Sequence, residues 1–277
     1  MVAFSFTIPL TRVAVSAFSP LFVGSARAVG AAVLAAGALV LTGQRVPPRR
    51  LWARIAVVGG GIVVGFPLLT SYALNRTSAS HGAVVIALLP AATAALAVMR
   101  GRERPPRRFW VLMTLGACAA VGFALVQSGD LGRLQWADLL LFGAVLAAAI
   151  GYAEGGLLAR ELGAWQTVSW ALVFSAPVMI ALTALAVSGS SFTPGPREWA
   201  AFSYLAAVSM FLGFFAWYRG LAIGPMAQVS QIQLVQPVLS LVWAVLLLGE
   251  ALSWQTAAGA VAVVALATLA VRVRLGS

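Results

Sequence analysis

The sequence has no lysine, a single cysteine (Cys118) and a single histidine (His81) among its 277 residues. Charged residues make up only 9% of the chain, whereas 61% of the residues are hydrophobic and the mean hydropathy is +0.97. A soluble domain needs more charge than this to cover its surface, so the composition indicates a polytopic protein embedded in a lipid bilayer. The single cysteine excludes an internal disulfide, and a lone histidine far from that cysteine argues against a metal site.

The usual motifs of catalysis and nucleotide binding are also missing. The chain has no HExxH, no GxSxG and no acidic cluster that could hold a metal over a phosphate, so we expect no enzyme activity. Without a nucleotide-binding motif, transport would be driven by a gradient and would need no cofactor. The formal net charge of +11 would suit nucleic acid, but the arginines lie between apolar runs, where positive charge orients membrane helices. We therefore expect no nucleic-acid partner.

Apolar runs of about twenty residues recur along the chain and predict ten transmembrane helices. A polar connector, SGDLGRLQ, separates the first five from the last five. With the N-terminus inside, thirteen arginines fall in cytoplasmic connections and the C-terminal tail, and three fall in outer loops. This bias predicts a protein of the cytoplasmic (inner) membrane with both termini in the cytoplasm. The predicted helices cover residues 1–17, 20–42, 51–74, 78–99, 109–127, 136–159, 164–187, 199–221, 226–248 and 254–271.

The two halves of the chain repeat each other at a spacing of 147 residues. Pro237 lies 147 positions after Pro90, and Glu250 lies 147 positions after Glu103. Both residue types are rare in this apolar background, so the shared spacing indicates an internal duplication. Five helices per copy turn the second copy upside down relative to the first. We therefore predict an all-α membrane protein of ten helices in two inverted repeats, residues 1–129 and 134–275.

Helix 1 is short for a membrane span. At a spacing of 148, Arg12 aligns with Arg160, which is predicted at the inner end of helix 6, so Arg12 should lie near the outer end of helix 1. Only the first eleven residues precede Arg12, roughly half of a membrane thickness at about 1.5 Å per residue. We expect the natural chain to begin roughly 8–15 residues upstream of Met1.

Several segments resemble one known family. They are the TSAS run before helix 4, the prolines of helices 4 and 9, the terminal RGRE and LLLGE, and FSFTIPLTR and GYAEGGLLAR in helices 1 and 6. Together they resemble the EamA-type transporters of the drug/metabolite transporter superfamily. The resemblance implies two inverted five-helix repeats around a central cavity lined chiefly by helices 1, 3, 4, 6, 8 and 9. It also implies movement of a small metabolite, often an amino acid or related compound, commonly by export.

Glu154, His81 and Arg27 are ionisable side chains within predicted spans whose roles are open. A carboxylate such as Glu154 costs about 2.5–3.5 kcal/mol in hydrocarbon, so it should face the bundle interior. It would serve either as a proton-coupling or substrate-amine site, or as a protonated or arginine-paired acid near the inner interface. His81 is expected near the outer interface, bonded to a nearby carbonyl, with a place in the cavity as the alternative. Arg27 is expected to extend towards the outer headgroups.

Helix 9 carries four glutamines on an otherwise apolar run. Gln233, Gln236 and Ser240 fall within an arc of about 60° on a helix. They straddle Pro237, whose missing N–H frees carbonyl groups in mid-membrane. We expect this arc to face the central cavity; the alternative is hydrogen bonding to a neighbouring helix. The remaining glutamines, Gln228 and Gln231, occupy a neighbouring arc.

The paired prolines and glutamates mark the ends and bends of helices 4 and 9. Pro90 and Pro237 are expected to kink these helices. The kinks would form part of a substrate site or hinge; the alternative is that they are ordinary kinks of spanning helices. Glu103 and Glu250 are expected to bond the N-terminal amides of the following helix.

Aromatic and small residues complete the candidate features. The run Phe214, Phe215, Trp217 and Tyr218 at the end of helix 8 is expected in an interfacial belt, with a cavity wall as the alternative. Glycines spaced four apart allow helices to pack closely. These pairs are Gly61/Gly65, Gly151/Gly155 and Gly220/Gly224.

The sequence predicts a secondary transporter that moves a small metabolite across the cytoplasmic membrane by alternating access, as an exporter. Its partners would be the small-molecule substrate and the lipid bilayer, and it would act as a monomer or homodimer. The alternative is a non-transporting membrane protein, an assembly or lipid-handling partner on the same fold. The candidate substrate-cavity residues are Glu154, Gln233, Gln236, Ser240, His81, Tyr152 and Trp217.

Overall fold

The computed structural model describes residues 1–101, 107–108, 110–112, 114–116, 118–119, 135–188, 193–224 and 226–272. These residues are mostly helical and include no strand. In the first half, α1 comprises Val2–Ser5 and Thr7–Ala14, α2 is Pro20–Leu41, α3 comprises Arg49–Leu51, Trp52–Val58, Gly59–Gly65 and Phe66–Leu74, and α4 comprises Ala79–Ile86 and Leu89–Gly101. The described helical residues between 107 and 119 are assigned to α5. In the second half, α6 is Trp136–Leu162, α7 is Ala164–Ser188, α8 comprises Pro196–Tyr204, Leu205–Leu212 and Gly213–Ile223, α9 comprises Met226–Val229, Ser230–Leu234 and Val235–Leu248, and α10 is Trp254–Arg272.

Within these ranges, six helices are long and apolar enough to cross a membrane: α2, α3, α4, α6, α7 and α8. Shorter apolar helices occur at Val2–Ala14, Ile232–Leu248 and Trp254–Leu266. Large apolar side chains such as Leu41 and Leu246 are exposed on the outside of the bundle, as expected where lipid covers the surface. The all-α membrane architecture is confirmed, and the count of ten spans stays a prediction.

Glycines allow α3, α6 and α8 to approach one another closely. A methyl group on Gly61 would collide with the backbone of α6 at Ala147, and one on Gly155 would collide with the ring of Tyr218 in α8. The Tyr218 hydroxyl donates a hydrogen bond to the Gly151 carbonyl at 3.1 Å. The close packing predicted at Gly61, Gly151 and Gly155 is therefore confirmed.

Distortions occur at matching places in the two halves. The wide π-helical turn Gly59–Gly65 in α3 has its counterpart in Leu205–Leu212 of α8, close to a shift of 147 residues. In α4 the helix is interrupted between Ile86 and Leu89, directly before Pro90. In α9 the tighter 3-10 stretch Ser230–Leu234 precedes Pro237. A proline cannot donate to the carbonyl four residues earlier, so a change of helical geometry just before it has a direct cause.

Two aligned arginines hold the C-terminal ends of equivalent helices. Arg12 donates to the carbonyl oxygen of Leu74 at 2.9 Å, at the end of α3. Arg160 donates to the carbonyl oxygen of Gly224 at 3.3 Å, directly after α8. The last carbonyls of a helix lack intrahelical partners and carry partial negative charge, so an arginine is well suited to both places.

Glu250 binds the start of α4, which corrects the expectation that it would bond the following helix, α10. Its two carboxylate oxygens accept hydrogen bonds from the backbone N–H groups of Ala79 and Ser80, each at 2.8 Å. Gly249 makes this possible, because its left-handed backbone (φ 66°) ends α9 and turns the chain. Glu103, its partner in the repeat, lies outside the described residues.

Candidate functional site

A small cavity lies where the two halves of the bundle meet. Its volume is about 20 Å³, room for about one water. From the first half it is lined by Phe4, Thr7, Arg27, Ile62, Phe66 and Pro67. From the second half it is lined by Ala148, Tyr152, Ser209, Met210, Phe214 and Gln236.

The helices that line the cavity differ in one place from those implied by the family resemblance. Residues of α1, α3, α6, α8 and α9 are present, but α4 contributes none of the described lining residues and α2 contributes Arg27. Distorted segments supply part of the wall, since Ile62 belongs to the π-helical turn of α3, and Ser209 and Met210 belong to that of α8. Wide turns of this kind are frequent at functional sites because they re-aim side chains and backbone groups.

The wall of the cavity is mainly apolar and aromatic, with a few polar groups. The hydroxyls of Thr7 and Ser209 hydrogen-bond each other at 2.7 Å, joining α1 to α8. Gln236 is buried and lines the same cavity. An apolar chamber with a small number of polar groups is the usual composition of a site for a small organic ligand.

Arg27 lies inside the bundle, so the expectation that it extends to the outer headgroups is wrong. Its side chain is 2% exposed. Its Nη1 donates to the Thr11 hydroxyl at 3.3 Å and its Nη2 to the Thr70 hydroxyl at 3.4 Å, while Nε has no hydrogen-bond partner in the described part of the chain. The side chain turns inward because hydroxyls of α1 and α3 are within its reach there. A charged group at the wall of this small cavity is the strongest chemical feature of the site.

The predicted polar arc of α9 divides into three different environments. Gln236 lines the cavity. The Ser240 hydroxyl donates to the backbone carbonyl of Ser5 at 2.7 Å, which is the helix-to-helix bond named as the alternative. Gln233 is 1% exposed and does not line the cavity; neither of its amide atoms has a hydrogen-bond partner among the described residues. The side chains of Gln228 and Gln231 lie outside the described part of the chain.

The aromatic run of α8 packs inside the bundle, so its predicted place in an interfacial belt is wrong for Phe214, Trp217 and Tyr218, which are all buried. Tyr152 of α6 packs edge-on against Trp217, with ring centroids 5.4 Å apart, and against Phe214 at 6.0 Å. Tyr152 and Phe214 line the central cavity, and Trp217 borders a neighbouring one. The close approach of α8 to the glycines of α6 draws these rings inward.

Glu154 lies in an ionic cluster that joins α3, α4 and α6. Its carboxylate is 2% exposed and accepts a hydrogen bond from Arg54 Nε at 2.5 Å and another from Arg100. Arg54 also pairs with Glu161, about two turns further along α6. This is the arginine-paired arrangement that the sequence left as the alternative, and Glu154 is not among the residues that line the cavity.

His81 pairs with an acid that the sequence analysis did not single out. Its Nε2 lies 2.6 Å from an Asp138 carboxylate oxygen, and both side chains are buried. Asp138 also accepts a hydrogen bond from the backbone N–H of Gln135 at the start of α6. His81 therefore joins α4 to α6 and does not line the central cavity.

Sequence reasoning missed three polar residues of the cavity: Arg27, Thr7 and Ser209. For Arg27 a signal was available, because an ionisable residue several positions inside an apolar span is a functional-site candidate. Thr7 and Ser209 are single hydroxyl residues in apolar helices, and nothing in their local sequence separates them from the other serines and threonines of the chain.

Comparison with known proteins agrees with this architecture. The model of the EamA-like transporter family matches residues 1–125 and 135–272. The chain is 42% identical over 261 residues to the uncharacterized transporter YdeK of Bacillus subtilis (strain 168), covering 94% of this chain and 90% of that protein. It is 23% identical over 245 residues to the uncharacterized inner membrane transporter YedA of Escherichia coli (strain K12), covering 87% of this chain and 78% of that protein.

A solved structure has the same fold. A crystal structure superposes with a TM-score of 0.66 over 98% of both chains, at 18% sequence identity. This likeness concerns the fold alone. The match to the family model over both halves, together with the 42% identity to YdeK, decides the classification. The chain is a multi-pass membrane protein that belongs to the EamA-like transporter family, within the drug/metabolite transporter superfamily.

Proposed function

We propose that the protein is a secondary transporter that exports a small metabolite, an amino acid or related compound, across the cytoplasmic membrane by alternating access. The cavity shared by the two halves carries the proposal, because each half contributes part of its wall. A site at the meeting of two repeats is where such transporters bind substrate. We assign its ten helices to two inverted repeats, residues 1–129 and 134–275, with both termini in the cytoplasm.

The matching distortions and helix-end contacts support the repeat assignment. The π-helical turns of α3 and α8, and the roles of Arg12 and Arg160, are equivalent under a shift of 147 or 148 residues. In the proposed orientation, the ionic cluster around Glu154 lies on the cytoplasmic side of the cavity and the His81–Asp138 pair on the outer side. Alternating access requires that the contacts on one side open while those on the other stay closed.

Counterflow in proteoliposomes tests transport directly. Purified protein is reconstituted with an unlabelled compound inside, and uptake of the labelled compound is followed over a panel of amino acids and related metabolites. We expect at least one compound to exchange. Ala148→Phe, which fills the cavity, should stop that exchange, because Ala148 is 1% exposed and lines the wall.

A matched control separates blockage from damage to the fold. Ala181→Phe adds the same ring at an exposed position of α7 and should leave exchange unchanged. Both variants must elute as single peaks and melt near the wild type. Exchange by Ala148→Phe at the wild-type rate would contradict the cavity as the pathway. Absence of exchange for every compound in the wild type would favour the non-transporting alternative.

A further inference from the structure

Arg27 places a positive charge at the wall of the central cavity, buried inside the bundle. Its side chain is 2% exposed, and its contacts are two hydroxyls, of Thr11 and Thr70, at 3.3 and 3.4 Å. These distances exceed the usual range for N–H···O hydrogen bonds, and Nε has no partner among the residues that the structure describes. A guanidinium has five N–H donors, so the described residues leave most of its hydrogen-bonding capacity unused.

The chain supplies no counter-charge to Arg27 within the part that the structure describes. None of the ion pairs found there includes Arg27. A buried cation without a counter-charge is unfavourable, and an anion bound from outside the chain would remove that cost. The described acids are held elsewhere: Asp138 by His81, Glu154 and Glu161 by Arg54, and Glu198 and Glu250 by backbone N–H groups.

We propose that the substrate is a small organic monocarboxylate whose carboxylate binds Arg27, an assignment that rests on the proposed transport function and narrows its substrate class. A carboxylate is planar and accepts two parallel N–H bonds from a guanidinium. The hydroxyls of Thr7 and Ser209 border the same cavity; one donates to the other, so one O–H between them is left to donate to a remaining lone pair of the carboxylate. A single arginine balances a single negative charge, so the loaded site is neutral.

The rest of the wall defines the body of the substrate. Phe4, Phe66 and Phe214 face the cavity, together with the ring of Tyr152 and the apolar side chains of Ile62 and Met210. The described lining contains no carboxylate that would recognise a second cationic group by charge. The geometry therefore fits an acid with an apolar or aromatic body.

When a bound carboxylate neutralises Arg27, closure of the bundle around the substrate becomes more favourable. At about 20 Å³ the cavity is too small for an organic acid, so the bundle must open to admit one and then close with its side chains rearranged. Closing over an empty site buries an unpaired charge, whereas closing over a bound carboxylate buries a neutral pair. The loaded transporter therefore closes more readily than the empty one, as exchange requires.

Binding to the purified protein, followed by intrinsic tryptophan fluorescence and by melting temperature, tests the assignment without transport. The probes are 3-phenylpropanoate and 3-phenylpropanamide, which share the same body and differ in charge, and L-phenylalanine with L-phenylalaninamide as a second pair. Chloride, added as its sodium salt, is the inorganic anion with which the carboxylates are compared. We expect the carboxylates to bind and to raise the melting temperature, and the matched amides to bind at least tenfold more weakly.

Variants show whether Arg27 is responsible. Arg27→Gln should abolish the preference for carboxylate over amide, and Arg27→Lys should retain part of it as a point charge. Arg45→Gln removes an equal charge at an exposed loop position and should bind like the wild type. If Arg27→Gln does not fold, the comparison of carboxylate with amide on the wild type still decides the question.

The outcomes separate this inference from the transport proposal. Equal affinity for carboxylate and amide, or protection by chloride equal to that by 3-phenylpropanoate, overturns the carboxylate assignment. Exchange of a neutral or cationic compound that is unaffected by Arg27→Gln also overturns it, while transport itself stands. Carboxylate binding that depends on Arg27, without exchange in proteoliposomes, supports the assignment and contradicts transport.

Discussion

The carboxylate of Glu250 accepts a hydrogen bond from the backbone N–H of Ala79 at 2.8 Å, so the end of α9 binds the beginning of α4. The second carboxylate oxygen accepts the N–H of Ser80 at the same distance. The first N–H groups of a helix have no intrahelical acceptor, and the positive end of the helix dipole favours a negative charge there. A residue of the second half thus stabilises a helix of the first half.

Glu250→Ala should lower the free energy of unfolding by about 1–3 kcal/mol, because two charge-assisted hydrogen bonds are lost at a helix N-terminus. Glu250→Gln should cost less, since its single amide oxygen still accepts. The measurement is the melting temperature in detergent, with monodispersity as a check. Equal stability of Glu250→Ala and the wild type would show that water replaces the carboxylate at no cost.

Gly155→Ala should lower the free energy of unfolding by about 1–3 kcal/mol, because the added methyl group collides with the ring of Tyr218. Gly37→Ala is the matched control in α2, where the methyl group meets no neighbouring atom. We expect that variant to be neutral or to gain up to about 1 kcal/mol from helix propensity. Melting temperatures of the two variants in the same detergent make the comparison. A similar effect of both substitutions would contradict the close approach of α6 and α8.

Gln236→Leu should weaken substrate binding without loss of stability, because Gln236 lines the cavity. Gln233→Leu should leave binding unchanged and raise stability by about 1 kcal/mol, because the Gln233 amide is buried without a partner among the described residues. Affinity from counterflow and melting temperature give the two readouts. If Gln233→Leu weakens binding and Gln236→Leu does not, their roles are the reverse of this assignment.

Glu154→Gln should reduce stability and slow gradient-driven accumulation and exchange together. The Glu154 carboxylate holds Arg54 of α3 and Arg100 of α4 against α6, so its loss affects every step that moves these helices. A double-mutant cycle with Arg54→Gln should give a coupling energy of about 0.5–3 kcal/mol. Selective loss of pH-gradient-driven accumulation, with exchange intact, would instead assign Glu154 to proton coupling.

Cysteine labelling tests the proposed orientation. Starting from Cys118→Ser, a cysteine at Gln44 should react with a membrane-impermeant maleimide only after permeabilisation, because this loop is predicted in the cytoplasm. A cysteine at the exposed Asn75 should react in intact spheroplasts. Labelling at Gln44 but not at Asn75 in intact spheroplasts would overturn the orientation. Labelling at both positions in intact spheroplasts would contradict the single membrane span predicted between them.

The membrane class and the positions of the described helices could be predicted from the sequence, and the relationship between the halves stays a prediction. Hydrophobicity over about twenty residues is a local property that lipid imposes directly, and a rare residue repeated at a constant spacing needs no structure to be recognised. The changes of helical geometry before Pro90 and Pro237 are local in the same way, because the missing N–H affects the carbonyl four residues earlier.

Tertiary structure decided which residues line the cavity, because the lining depends on how each helix is rotated and on which helix it packs against. Arg27 has the same local sequence whether it extends to headgroups or turns inward; only the hydroxyls of Thr11 and Thr70, brought by two other helices, decide between them. Ser240 bonds to α1 while Gln236, one turn earlier, faces the cavity, and no periodicity separates the two. The sequence by itself determined that polar groups would lie inside the bundle, since lipid offers them no partner. Only the packing of α1, α2, α3, α6, α8 and α9 determined which of them share a cavity.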